Sequence, residues 1–124
     1  MKSSCLLVLV AALHSAWAQT GGIQREVLTR APVSVPNREA VVARVTLPPA
    51  ASAGRHSHPG EEIVYILEGE GELLIEGQAP RQLKAGDAVV IPARQLHDAR
   101  SSHGLRLVST YLVDPDQPMV SPAK

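Results

Sequence analysis

Short apolar runs separated by glycine and proline turns are the feature that most constrains how this chain of 124 residues folds. β-Branched residues dominate runs such as Ala40–Leu47 and Ile63–Leu67, and turn signals recur about every ten residues, as is typical of β-sandwiches and barrels. No segment keeps an apolar period of 3.6 residues for the length of a helix, and ten prolines also count against long helices. The pattern therefore predicts a single all-β, antiparallel domain.

The first eighteen residues differ in character from the rest and predict a secretory signal peptide. Lys2 precedes an apolar run from Leu6 to Leu13, and Ala16-Trp17-Ala18 has the small-x-small pattern of a cleavage site. The run is too short for a transmembrane helix, so we expect cleavage, export across the inner membrane to the periplasm and no stable membrane insertion. An uncleaved membrane anchor is the alternative. The rest divides into an N-terminal arm with a short strand, a barrel and an irregular C-terminal tail, at residues 19–39, 40–113 and 114–124.

The charge and cysteine content of residues 19–124 limit the kinds of partner that we expect the chain to bind. Eleven basic and twelve acidic residues remain, a net charge of −1, and no cysteine is left. This balance provides no basic surface for nucleic acid or an anionic membrane, and it leaves no disulfide framework. We therefore expect a small-molecule ligand or substrate, and no nucleic-acid partner.

One histidine-rich segment and one later histidine carry the candidate chemistry. His56 and His58 are two residues apart, so in an extended strand both imidazoles face the same side. Glu62 follows a Pro-Gly turn and can return to the same point, and His97 can supply a fourth ligand. Imidazoles with a carboxylate suit a divalent transition metal, and this set alone does not select among Mn, Fe, Ni, Cu, Co and Zn.

These residues resemble the two sequence motifs of the cupin superfamily. The first motif, His-x-His followed at fixed spacing by Glu and Gly, matches His56, His58, Glu62 and Gly69. The second motif, Gly, Pro and His, matches Gly86, Pro92 and His97. The resemblance implies an antiparallel jelly-roll β-barrel, open at one end, that holds the metal inside on His56, His58, Glu62 and His97. It also implies that such barrels often pair as homodimers.

Three positions depart from the family pattern, and all three concern turns rather than ligands. Ala50 and Arg94 stand where the motifs have glycine, and Ser101 stands where asparagine is frequent. These departures raise a question about turn geometry, not about the four ligands.

Strand alternation sorts the residues around the predicted site. It favours Glu62 over Glu61 as the inward carboxylate. It also predicts an aliphatic cavity lined by Val64, Ile66 and Val90, with Tyr65 facing the other way.

The remaining candidates lie in turns or on the last strand. His103 is expected in an exposed turn, and Tyr111 could face either side. Gly69-Glu70-Gly71 predicts a tight turn between two strands. Three arginines, usually solvated in such positions, are candidates for binding an anion at the cavity mouth: Arg94, Arg100 and Arg106.

The ligands predict a metal site but do not define a reaction. Similarity to cupin dioxygenases implies a metal-dependent oxidoreductase, in which the metal binds dioxygen or an oxygen-bearing substrate and Glu62 also moves a proton. The alternative is a non-catalytic barrel that binds a metal or small ligand. An isomerase or lyase ranks third, because its base would be Tyr111 or Lys84, neither of which the sequence puts at the site.

Overall fold

A computed structural model describes residues 22–124, and the predicted signal peptide at residues 1–18 lies outside the described residues. Residues 22–124 contain ten β-strands and no helix. The strands are β1 (Gln24–Pro32), β2 (Glu39–Leu47), β3 (Ala51–Ser52), β4 (His56–Ser57), β5 (Glu61–Ile75), β6 (Arg81–Lys84), β7 (Ala88–Ile91), β8 (His97–Ser101), β9 (Leu105–Val113) and β10 (Ser121–Pro122). Every pairing is antiparallel, so the predicted all-β antiparallel fold is confirmed. Within this part of the chain, no helix has the length and apolar character that a membrane crossing requires.

Strands also form in the segments that flank residues 40–113. β1, in the predicted N-terminal arm, pairs with β2 from Gln24 to Pro32 and so extends the sheet. β10, in the predicted tail, pairs with β4 through Ser121 opposite Ser57 and Pro122 opposite His56. The C-terminal tail therefore runs alongside the short strand that carries the first histidine.

The core arises from strict alternation along the strands. β9 buries every second residue from Leu105 to Val113, and the second half of β2 follows the same pattern. The sheet curls so that these inward faces meet. The central buried cluster is aliphatic and consists of Ile23, Val45, Leu47, Ala51, Val64, Ile66, Leu73, Leu83, Val89, Ile91, Leu105 and Leu107.

The long strand β5 connects the two faces of the barrel. Its first half pairs with β7 and β9, and its second half pairs with β6 and β8. The register shifts between Ile66 and Glu68, and Gly69 has a φ angle of 84°. A Cβ atom on Gly69 would lie 2.2 Å from the carbonyl oxygen of Gly104. The predicted tight turn at Gly69–Gly71 is therefore wrong: without side chains here, the strand bends and continues.

Ala50 and Arg94 adopt the backbone conformation that glycine would provide at the family positions. Their φ angles are 62° and 61°, in the left-handed region that costs a residue with a side chain roughly 1–2 kcal/mol. The Arg94 turn also touches the histidine segment, because its backbone N–H donates to the carbonyl oxygen of His58 at 2.8 Å. Ser101 braces the next turn by donating to the Glu70 carbonyl and accepting from the Gly104 N–H. The three departures thus preserve the turns.

Arg94→Gly is expected to stabilise the metal-free protein. The variant removes left-handed strain from an exposed side chain that makes no hydrogen bond or ion pair with residues 22–124. After allowance for the extra flexibility of glycine in the unfolded chain, the free energy of unfolding should rise by about 0.5–1 kcal/mol. Urea unfolding measures it, with the neighbouring Ala93→Gly as a control that should lose stability. An Arg94→Gly variant less stable than the parent would contradict this account of the turn.

Candidate metal centre

Three strands bring the predicted site residues together inside the barrel. His56 on β4 lies opposite His97 on β8, His58 follows β4 directly, and Glu62 on β5 lies opposite Tyr111 on β9. The exposed fractions of His56, His58, Glu62 and His97 are 7% or less. The three imidazole centroids lie 4.3–5.2 Å apart. Histidines far apart in sequence therefore form one buried cluster.

Backbone carbonyl groups orient each imidazole through its Nδ1 atom. His56 Nδ1 lies 2.6 Å from the Gly54 carbonyl oxygen, and His97 Nδ1 lies 2.9 Å from that of Gln95. His58 Nδ1 lies 2.6 Å from the carbonyl oxygen of Met119, in the C-terminal tail. A carbonyl oxygen only accepts hydrogen bonds, so all three Nδ1 atoms carry the proton. In the neutral rings each Nε2 is then the basic nitrogen, as in metal-binding histidines.

The Nε2 side of the cluster has the properties of a cation site. One nitrogen from each of His56, His58 and His97 lies within 4.8 Å of the others, a grouping that could hold a metal ion. Glu62 Oε2 lies 3.1 Å from His97 Nε2 and 3.2 Å from His58 Nε2. His58 Nε2 is nevertheless buried without a hydrogen bond among the described residues. An orphaned basic nitrogen that faces a carboxylate oxygen fits a bound cation, so the donor set suits a transition metal.

Glu62 is held as a carboxylate despite its burial. Burial by itself raises the pKa of Glu62, but His58 and His97 outweigh burial and hold the pKa well below its usual range. The contact between Glu62 and His97 has the opposite effect on the pKa of the histidine. Burial lowers the pKa of His97, but the interaction with Glu62 outweighs it, and the pKa lies above its usual value. Glu62 and His97 therefore form a charge-assisted pair that a metal ion must replace.

His56 is kept neutral by its surroundings. Burial and the neighbouring histidines His97 and His58 lower the pKa of His56 to about 4. At neutral and weakly acid pH its Nε2 lone pair is therefore free of a proton.

Two hydroxyl groups on β9 complete the polar surroundings. Ser109 Oγ donates to Glu62 Oε1 at 2.6 Å, which leaves Oε2 facing the histidines. The Tyr111 ring packs edge-on against His58, with centroids 4.7 Å apart. Burial and the nearby Glu62 raise the pKa of Tyr111, so its hydroxyl keeps its proton at neutral pH. The site thus pairs an ionised carboxylate with a protonated phenol.

A small cavity adjoins the cluster. Its volume is about 40 Å³, room for roughly three water molecules or a small organic ligand. The polar groups along its wall include Arg25, His56, His97, Glu62, Ser109 and Tyr111. The other lining residues are aliphatic: Val45, Leu47, Ala53, Val64, Leu73, Leu83, Val89, Ile91, Ala99 and Leu107. A ligand in this cavity would contact mostly aliphatic side chains and a few fixed polar groups.

The structure separates the predicted inward residues from the outward ones. Glu62 faces the cavity and Glu61 is exposed. Val64 lines the cavity as predicted, and Tyr65, half exposed, points outward. Ile66 is buried in the core but does not line the cavity, so that part of the prediction is wrong. The prediction for Val90 is wrong, because its side chain is 61% exposed. On β7 the alternation is shifted by one residue, so its neighbours Val89 and Ile91 line the cavity instead.

The candidate residues in turns remain outside the cluster. His103 is exposed and not part of the histidine group. Arg100 pairs with Asp98 and Arg106 with Glu68, and neither they nor Arg94 lines the cavity. Lys84 pairs with Asp87 in an exposed turn. The three arginines predicted for anion binding are therefore absent from the cavity wall.

Two site residues escaped the sequence interpretation. Tyr111 was open to either side and was not placed at the site, but it is 2% exposed and borders the cavity. Its spacing of two from Ser109 was the available signal, since both share the inward face of β9. Arg25 lies in the predicted N-terminal arm, which the sequence does not connect with the site. Alternation from the buried Ile23 would have placed it on the inward face of β1.

Comparison with protein families and curated proteins gives three matches. The Cupin_2 family model, described as a cupin domain, matches residues 43–111. A stretch of 46 residues is 50% identical to dimethylsulfoniopropionate lyase DddQ of Ruegeria pomeroyi, covering 37% of this chain and 23% of that protein. A stretch of 67 residues is 39% identical to an oxalate-binding protein of Thermotoga maritima, covering 53% of this chain and 54% of that protein. The chain thus spans a quarter to a half of these curated relatives.

Solved structures with the same fold include the Ruegeria lyase and a cupin-like protein. The crystal structure of the Ruegeria lyase aligns with a TM-score of 0.63 at 30% identity, over 68% of this chain and 43% of that one. A cupin-like protein from Thermotoga maritima aligns with a TM-score of 0.68 at 26% identity, over 84% and 77% of the two chains. These likenesses confirm the predicted jelly-roll barrel.

Metal affinity is expected to fall as the pH is lowered through the raised pKa of His97. That proton must leave before Nε2 can bind a metal, whereas His56, with a pKa of about 4, does not compete above pH 5. Competition titrations with Zn²⁺ between pH 8 and pH 5 measure the effect. In Glu62→Gln, which lacks the charge that raises the pKa of His97, the decline should begin at lower pH. An affinity independent of pH in the parent protein would be inconsistent with this pairing.

Deletion of residues 118–124 is expected to weaken metal binding by about tenfold or more, the usual effect of removing a group that orients a metal-binding histidine. The deletion removes the Met119 carbonyl that accepts from His58 Nδ1. Ser121→Ala is the matched control, because it changes an exposed side chain of the same tail but keeps the Met119 carbonyl, and its metal affinity should stay near that of the parent. Equal affinities for the parent and the deleted chain would show that the tail does not orient His58.

Proposed function

This chain belongs to the cupin family, and on that premise we propose that it is a metal-dependent protein that binds a small carboxylate inside its barrel. The observation that carries the proposal is the set of three buried imidazoles with Nδ1 tied to backbone carbonyls and basic Nε2 atoms turned toward one another. His56, His58 and His97 would hold the metal, with Glu62 as the fourth ligand. A divalent metal bound there would supply Lewis acidity and open positions for an oxygen atom of the ligand.

The ligand class is supported by the relatives and by the cavity. The curated relatives are named for oxalate binding and for cleavage of dimethylsulfoniopropionate, and both compounds are small carboxylates. The cavity of about 40 Å³ favours small ligands over large ones. The alignments cover only part of either relative, so the ligand class is our proposal for this chain.

The chain itself provides a base and an acid at one place. Glu62 is an ionised carboxylate fixed by Ser109, and Tyr111 on the opposing strand keeps its proton. At neutral pH an ionised carboxylate can accept a proton and a protonated phenol can donate one, so the protonation states of the two groups match these roles. The aliphatic wall keeps bulk water away from both. We assign Glu62 as the base and Tyr111 as the acid.

Two reaction classes follow, and dioxygen consumption distinguishes them. Dioxygenase-type oxidation is the first candidate, by similarity to cupin dioxygenases. Elimination of a lyase type is the second candidate, and the observation that favours it is Tyr111, which lies against His58. A barrel that binds its ligand without turnover is the remaining outcome. Export to the periplasm and pairing as a homodimer stay proposals that cell fractionation and light scattering test.

Binding of oxalate is expected to require the metal. Protein stripped with a chelator and reloaded separately with Mn, Fe, Ni, Cu, Co or Zn is titrated with oxalate in a calorimeter. At least one loaded form should bind oxalate, and the stripped form should bind it at least about tenfold more weakly. The double variant His58→Ala with His97→Ala should lose both the metal and the oxalate. Equal binding by stripped and loaded protein would sink the proposal.

The reaction class is tested on the same loaded forms. Oxygen uptake with oxalate and small enediols reports dioxygenase chemistry, and new alkene signals in proton spectra of dimethylsulfoniopropionate report elimination. Tyr111→Phe should slow elimination by about 100-fold or more if the hydroxyl transfers a proton, with metal content unchanged. Ligand binding without either signal identifies the barrel as a binding protein.

A further inference from the structure

Arg25 is a cation on the inward face of the barrel. It lies on β1 two residues after Ile23, which is fully buried, so both side chains point to the same face of the sheet. Arg25 is half-buried and borders the cavity together with His56, Glu62 and Tyr111. Its charge acts on the Tyr111 hydroxyl. A guanidinium group therefore belongs to the wall of the proposed ligand site.

The charge of Arg25 is not matched by a carboxylate from residues 22–124. Other arginines of the same sheet form ion pairs outside the cavity: Arg30 with Glu39, Arg44 with Glu26 and Arg106 with Glu68. Arg25 faces instead a wall that is mostly aliphatic, where a guanidinium with five N–H donors is costly to leave unsatisfied. The one carboxylate of the cavity, Glu62, interacts with His58, His97 and Ser109. The cavity wall therefore carries a positive charge that has no ion-pair partner among residues 22–124.

We propose that Arg25 binds the carboxylate of a small organic anion whose other oxygen atoms face the imidazole cluster. The proposal rests on the function proposed above and names the residue that selects the charge of the ligand. The planar guanidinium presents two parallel N–H donors that match the two oxygens of a carboxylate. Arg25, His56 and His97 border the same small cavity, so the proposed ligand lies between the guanidinium and the imidazoles. Dicarboxylates and carboxylates with a neighbouring oxygen donor have the required arrangement.

The test compares charged and neutral probes of one shape. Oxalate and oxamide are titrated into the metal-loaded parent, Arg25→Gln and Arg25→Lys. Arg30→Gln, on the same strand but outside the cavity, is the control for the change in net charge. Oxalate should bind Arg25→Gln 10- to 100-fold more weakly than the parent, and Arg25→Lys should be intermediate because it keeps the charge but loses the paired donors. Oxamide affinity should not change, and Arg30→Gln should bind oxalate like the parent.

Metal content and thermal unfolding of each variant separate ligand recognition from folding. If Arg25→Gln fails to fold, Arg25→Lys carries the test through its weaker oxalate binding at unchanged metal content. Parental oxalate affinity in a folded, metal-loaded Arg25 variant would overturn the role of Arg25 and leave the proposed function standing. Failure of the loaded parent to bind any carboxylate would overturn the proposed function and this inference with it.

Discussion

Three N–H···O=C hydrogen bonds decide what the buried histidines of this barrel can do. Each ties an imidazole Nδ1 to a carbonyl oxygen, from Gly54, Gln95 or Met119, and so directs each Nε2 toward the other two rings. Were the rings free to rotate, they would exchange partners with one another and with Glu62. Fixed as they are, they turn basic nitrogens toward one carboxylate oxygen, and His58 Nε2 is left without a hydrogen bond. The backbone thus holds the three rings in an orientation that suits a bound cation.

The three carbonyl groups come from segments that are held in place in different ways. The Gly54 and Gln95 carbonyls lie two residues before the histidines they orient, so local turns set them. The Met119 carbonyl comes from the C-terminal tail, which is held by the pairing of β10 with β4, by the hydrogen bond from the Ala123 N–H to the Arg55 carbonyl and by packing of the Met119 side chain on the core. Arg94 adds a further tie, since its strained turn holds the His58 carbonyl. His58 therefore depends on parts of the chain that lie far from it in sequence.

The sequence predicted the fold and the four central residues because both follow from short-range patterns. Alternation predicts strands, and His56, His58, Glu62 and His97 match family motifs of fixed spacing. Sequence reasoning failed where the outcome depends on how far a strand bends or where it starts. β5 continues through Gly69, because two glycines tolerate the close approach of a neighbouring backbone. A shift of one residue on β7 exchanges Val90 for Val89 and Ile91 as lining residues. Arg25 and Met119 lie in flanking segments where alternation is short and the tertiary partner is not encoded locally.

The central claim is that the three Nε2 atoms, with Nδ1 protonated, form a metal site, and imidazole nitrogen NMR tests it most directly. In protein labelled with ¹⁵N at histidine and stripped of metal, two-bond spectra should show a proton on Nδ1 of His56, His58 and His97. Addition of one equivalent of Zn²⁺ should shift the Nε2 signals of these three residues and leave exposed His103 unchanged. Protons on Nε2 of the neutral rings, or a zinc response confined to His103, would contradict the account.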